Sequence, residues 1–230
     1  MSEILGGSAF FGVLISLLAY YLGDRLKRRL RLALCNPLLI AIALTIAALC
    51  LLGVDYETYA SGAKYLSWLL TPATVCLAIP LYEQLALLKR NWRAILAGIL
   101  AGVLASLGCV LALATLFGLD HAQYVTLLPK SITTAIGMGV AEELGGDPSI
   151  AAAVIIVTGV LGNMFAEGFL KLLRIREPVA RGVAIGASSH AIGTARAMEL
   201  GETEGAMSGL SIAVAGLITV AAVQIFAQFL

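Results

Sequence analysis

VTLLPKSITTAIGMGVA, residues 125–141, is the stretch on which the reading of this chain turns. It is apolar or weakly polar apart from Lys130, which follows Pro129 and precedes Ser131, Thr133 and Thr134. A charge at membrane depth costs about 3 kcal/mol on insertion scales and usually faces a cavity or a partner. A second stretch of the same kind, GASSHAIGTARAMEL at 186–200, carries Ser189, His190, Gly193, Thr194 and Arg196. Two cationic, hydroxyl-rich interruptions in one short chain point to a site for a small anion.

The composition sets the class. Hydrophobic residues make up 60% of 230 and charged residues 13%, with a mean hydropathy of +0.96. Soluble domains carry about 25% charged residues, so this is an integral membrane protein. The net charge of +1 and the lack of a basic stripe argue against nucleic acid. Cys35, Cys50, Cys76 and Cys109 sit in or beside apolar segments with no CxxC spacing and no His/Cys cluster. Free thiols are expected, with no metal and no cofactor. Residues 8–22 run into GDRLKRRLR without a basic leader region or a small-residue cleavage site. They read as a retained first span rather than a signal peptide.

Apolar segments of near-spanning length fall at 8–22, 37–53, 66–88, 94–117, 125–144, 149–170, 182–200 and 205–229. Twelve of the fifteen Lys and Arg lie in three connections. These hold Arg25, Lys27, Arg28, Arg29 and Arg31; Lys89, Arg90 and Arg93; and Lys171, Arg174, Arg176 and Arg181. Such loops are expected in the cytoplasm. The last two are separated by three segments, and an even number of crossings must separate two loops on one side. The Lys130 segment is therefore read as re-entrant, since irregular backbone is tolerated at depth only against protein or water. The expectation is an all-α polytopic membrane protein with about seven crossings and one re-entrant element. Its N-terminus is placed in the periplasm and its C-terminus in the cytoplasm.

The halves echo each other. Asn36-Pro37 opens one segment and Asp147-Pro148 another, and TPATVCLAIPLYEQL (71–85) occupies the place of SSHAIGTARAMEL (188–200). The chain is thus read as a single membrane domain, 1–230, with an inverted repeat of about 1–118 and 119–230 and broken helices at matching positions. That organisation is common among secondary transporters.

NPLLIA at 36–41, the TPATVCLAIPLY run, PKSITTAIGM at 129–138 and HAIGTARAMEL at 190–200 resemble the LrgB family, also called CidB or YohK-like. The resemblance covers almost the whole chain. It implies an antiholin-like or holin-like modulator of murein hydrolase export and autolysis. It also implies uptake of small carboxylates such as pyruvate, and a plastid relative fused to an LrgA-like domain exchanges glycolate and glycerate. A chain without that fused part implies a separate small LrgA/CidA-like membrane partner. A chain without a transit peptide implies the bacterial inner membrane. A broader likeness to elevator-type carboxylate transporters is fold-level analogy.

The candidate substrate site comprises Lys130, Ser131, Thr133, Thr134, Ser189, His190, Gly193 and Thr194, with Thr71 and Thr74 from the broken element around Pro72. Each has a plainer reading. Lys130 pairs with Glu142 or Glu143, or snorkels. His190 is a packing histidine bonded between helices. Thr71 and Thr74 only re-satisfy backbone near Pro72. Asn163 and Glu167, one turn apart, together with Arg196, support the site or bind a coupling cation; Glu167 pairing with a lysine and Arg196 pairing with Glu199 are the structural alternatives. Gly98/Gly102, Gly182/Gly186 and Gly205/Gly209 are small-residue packing faces.

Two functions follow. One is a secondary transporter of small monocarboxylates (pyruvate, lactate, glycolate or glycerate), in which helix N-termini and Lys130 hold the carboxylate. The other is a holin-like or antiholin-like regulator. A homo-oligomer is expected in either case. No pattern of a metalloprotease or a GxSxG hydrolase occurs, so no enzyme is expected.

Overall fold

A computed structural model describes residues 10–30, 37–69, 72, 76 and 78–230. Among these residues the secondary structure is helical throughout. Contacts divide the chain into residues 1–76 and 77–230.

The first unit contains α1 (Phe11–Leu30), α2 (Pro37–Leu52) and α3 (Tyr56–Trp68). α1 packs on both of the others. Gly12 lies against the backbone of Tyr59 and Ala63, and Gly23 against Pro37, where a side chain would not fit. Ser16 Oγ and Tyr59 Oη share a hydrogen bond of 2.8 Å. Asp55 begins α3 by accepting from Thr58 N at 3.0 Å. The Thr58 hydroxyl and amide hold the Asp55 carboxyl below its ordinary value.

The second unit contains α4 (Ala78–Glu83), α5 (Leu85–Phe117), α6 (His121–Leu127), α7 (Thr134–Glu143), α8 (Pro148–Leu172), α9 (Pro178–Leu200) and α10 (Glu202–Phe226), closed by a 3₁₀ turn. α5, α8 and α10 are the helices long and apolar enough to cross a membrane among the described residues. α5 buries Ile95, Ile99, Val103, Leu107, Val110 and Ala114 along one stripe. Its other faces expose Leu96, Leu100, Leu104 and Leu113, as a lipid-facing helix does. It stops at Gly118, which takes the left-handed conformation (φ 63°) and donates its amide to the last turn.

α6 and α7 form a hairpin. Asp120 caps α6 reciprocally with Gln123. Pro129 interrupts the helix, and tight turns bond Lys130 N to Leu127 O and Ile132 N to Pro129 O, each at 3.2 Å. α7 then brings the chain back to the last turn of α6, where Asp147 N donates to Thr126 Oγ1 at 2.8 Å. α7 has 10 residues, a rise of about 15 Å, half of what a span requires. Residues 126–147 thus fold back within the unit.

α9 is a second hairpin, and this corrects the sequence reading. The segment 182–200 counts there as a crossing. The backbone breaks at His190 (φ 41°, ψ −143°) and reverses. A Cβ on Gly193 would lie 3.1 Å from Ile185 Cγ2, although eight residues of straight helix rise about 12 Å. Both arms run beside α10 in opposite senses. Gly182 meets Glu204 O (2.5 Å) and Met207 Cβ (2.8 Å), and Gly186 meets Ser208, along the first arm. Gly205 meets Met198 (2.8 Å) and Ser208 Oγ bonds Thr194 Oγ1 (2.7 Å) along the second. Both ends of α9 therefore lie at the end of the unit where α10 begins. Arg181 pairs there with Glu204 at 3.0 Å.

Three further points change with it. The Glu202–Glu204 turn sits with Arg181, not across the unit from it. The last residue, Leu230, meets His121 Nδ1 through its carbonyl at 2.6 Å, and Tyr124 Oη donates to Phe226 O. Leu230 is thus at the end opposite to Arg181, and the expected grouping of the C-terminus with the basic loops fails. Finally, α5 runs beside the first arm of α9 in the same sense, with Gly98 on Val183 and Gly102 on Ala187. That arm is parallel to α10, so α5 and α10 are parallel, whereas an inversion relating 94–117 to 205–229 requires them antiparallel. The inversion lies instead between His121–Leu172 and Pro178–Phe229. Each is a hairpin followed by a long helix, entered from opposite ends.

Candidate functional site

The two turns meet the long helices near their middles. Ser131 Oγ bonds Ser106 Oγ of α5 at 2.8 Å, and Lys130 Nζ donates to Ser131 Oγ at 3.2 Å. Ser106 is halfway along the apolar stretch 94–117. Lys130 is partly buried. Among the described residues it forms no ion pair with Glu142, Glu143 or any other carboxylate. Thr133 precedes α7 and Thr134 begins it. The ammonium therefore shares its surroundings with a helix N-terminus whose first amides have no intrahelical acceptor.

The other turn is built on α8. His190 is buried, and its Nε2 donates to Ile155 O at 2.9 Å. A side chain on Gly159 would strike the imidazole (His190 Nε2 at 2.8 Å), and one on Gly162 would overlap Ser189. These two glycines are what let the tip seat against α8. Thr194, 1% exposed, donates to His190 O at 3.0 Å and shares a hydrogen bond with Ser208. Gly193 packs on Ser189 and Ile185, where the arms are closest.

Ile155 joins the two turns. Its carbonyl takes the His190 proton, while its Cδ1 and Pro129 both lie against Gly137 of α7. His190 of the second turn and Gly137 of α7 thus both contact one α8 residue.

The three supporting residues form one set of contacts between α8 and α9. Glu167 accepts from Lys171 at 2.7 Å and from Arg196, which also pairs with Glu199. Asn163 Nδ2 donates to Ile192 O at 2.7 Å. Asn163, Glu167 and Arg196 tie α8 to the second arm of α9. Thr71 and Thr74 lie outside the described residues.

Sequence reasoning missed Ser106, and also the buried polar line on α10: Glu204, Ser208, Ser211 and Thr219. Its signal was the 3.6-residue period of hydroxyls in a helix otherwise apolar. Ser106 had no such signal, being one of two hydroxyls, with Thr115, set nine residues apart in the cleanest apolar segment.

A family model described as the LrgB-like family matches residues 16–229. Curated relatives of the same length agree. The antiholin-like protein LrgB of Bacillus mycoides is 37% identical over 222 residues, covering 96% of each chain. The proteins of the same name in Bacillus cereus and Bacillus anthracis match equally. No solved structure matches. With the family model spanning nearly the whole chain and relatives of equal length over a third identical, this protein belongs to the LrgB-like family.

Proposed function

We propose that residues 77–230 carry a small carboxylate across the bacterial inner membrane, binding it where the two hairpin tips approach each other. The observation that carries this reading is Lys130. It is an ammonium at the middle of a transmembrane helix pair, beside a helix N-terminus, with a hydroxyl rather than a carboxylate as its partner. A half-buried cation at membrane depth without an anion is costly, and a bound anion relieves that cost. Ser131, Thr133, Thr134, Ser189, Gly193 and Thr194 would surround the ligand. Its class is a monocarboxylate of the size of pyruvate, lactate, glycolate or glycerate. His190, bonded to Ile155, would shape the tip rather than touch the ligand. A small LrgA/CidA-like membrane protein is the partner this reading expects, and no bond-breaking chemistry is needed.

A second reading is antiholin-like control of murein hydrolase export and autolysis. The name shared by the relatives supports it more directly than it supports transport. The two readings separate in proteoliposomes. Purified protein, alone and with an LrgA-like partner, is loaded opposite labelled pyruvate, lactate and glycolate. Saturable uptake that Lys130→Ala abolishes is the transporter's result. Absence of uptake for all three acids, with and without the partner, leaves the regulator.

A further inference from the structure

α8 and the first arm of α9 leave a groove of about 570 Å³ between them. Leu161, Phe165, Phe169 and Leu173 line one wall, and Ile185 and Ser189 the other. Its far end is the hairpin tip. Its near end is the C-terminus of α8, where Leu173 and Ile175 border it. From Thr158 to Leu173 the helix rises about 22 Å, enough to run from mid-membrane to the headgroups. Ser188 and Ser189 do not make it polar, because Ser188 Oγ is spent on Ala184 O (2.7 Å) and on Ser189 Oγ (3.0 Å).

The near end is cationic. Lys171, Arg174 and Arg176 bracket Leu173 and Ile175, and all three are exposed. Lys171 is paired with Glu167. Arg174 and Arg176 have no side-chain partner among the described residues. Arg174 also carries an independent mark. It ends α8 in the left-handed conformation (φ 57°), with Ile175 N closing the cap on Leu170 O at 2.9 Å. Glycine occupies that cap position by default, and another residue there is strained by about 1 kcal/mol.

We propose that this groove binds one acyl chain of an anionic phospholipid, whose phosphate is received by Lys171, Arg174 and Arg176. An apolar slot opening on a basic cluster at the headgroup level fits that ligand, as basic interfacial pockets do elsewhere. The groove shares Ser189 with the proposed carboxylate site but none of the Lys130 turn, and its proposal does not depend on the transport reading. The occupant would wedge between α8 and the arm of α9 that ends at the tip, so its chain would touch the hairpin's seat.

The test places a fluorescent reporter in the groove. The full chain carries Phe169→Trp with Trp68→Phe and Trp92→Phe, and is reconstituted with brominated phosphatidylglycerol or brominated phosphatidylcholine. Quenching should saturate at about fivefold lower mole fraction of the anionic lipid. Arg174→Gly with Arg176→Gln should bring the two lipids to parity. The glycine keeps the helix cap, so this variant folds at least as well. Arg90→Gln, in another basic connection, should keep the preference. Equal quenching by both lipids in the parent protein overturns the proposal, as does a preference that survives the double substitution. Quenching by neither lipid also overturns it, because protein then covers the groove.

Discussion

Lys130 was legible from sequence because its cost is local. A charge among apolar residues needs no tertiary information to be conspicuous. Ser106 was not legible, since a serine in an apolar helix ordinarily bonds its own backbone. Only the packed hairpin shows it facing Ser131 instead. His190 sits between these cases. The sequence marks it as polar at depth, and the structure spends its proton on Ile155 O. Lys130→Ala should abolish carboxylate uptake while membrane insertion is kept or improved, because the substitution removes a cost of insertion together with a ligand. Lys130→Arg should also fail, as a planar fork does not replace a compact ammonium. Uptake by reconstituted protein, against membrane yield, checks both. Normal transport by the two variants would make Lys130 structural.

At the scale of elements, the first hairpin could be read and the second could not. Pro129 marks the α6–α7 turn, and the parity of the basic loops requires a fold-back. The α9 reversal has no proline, and its breaking residue is a histidine at positive φ. The reversal is imposed from outside, by the room over Gly159 and Gly162 and by the bond to Ile155. Strain and bond can be separated by substitution. His190→Ala loses the hydrogen bond and keeps the unfavourable backbone, while His190→Gly loses the bond and relieves the backbone. His190→Gly should therefore be the more stable of the two by about 1 kcal/mol, read by thermal unfolding in detergent. The reverse order would mean that the break is not held at residue 190. The second hairpin also fixes sidedness. Cysteines at Asp147 and Thr203 in a background lacking Cys35, Cys50, Cys76 and Cys109 should label from opposite faces, with Thr203 on the face of Arg174. Labelling of both from one face would restore 182–200 as a crossing.

At the scale of the molecule, the sequence's inverted repeat was sought in the wrong halves. Periodicity and turn residues located the spans, but the direction of each span depends on whether the preceding element crosses or returns. One undetected reversal at His190 inverts everything after it, which is why α10 and Leu230 came out opposite to expectation. Corrected, the repeat pairs two hairpins of opposite entry, and His190 of one and Gly137 of the other both contact Ile155. That shared contact makes a statement about energies. If Lys130 and the Thr194 hydroxyl act on one bound carboxylate, each loss already removes part of what the other contributes. The double variant Lys130→Ala/Thr194→Val should then cost less than the sum of the singles, whereas independent sites add. Affinity for the transported acid, from tryptophan quenching on titration, gives the three differences. Strict additivity would place the two residues on separate ligands, and the contacts of both hairpins with Ile155 would then be packing alone.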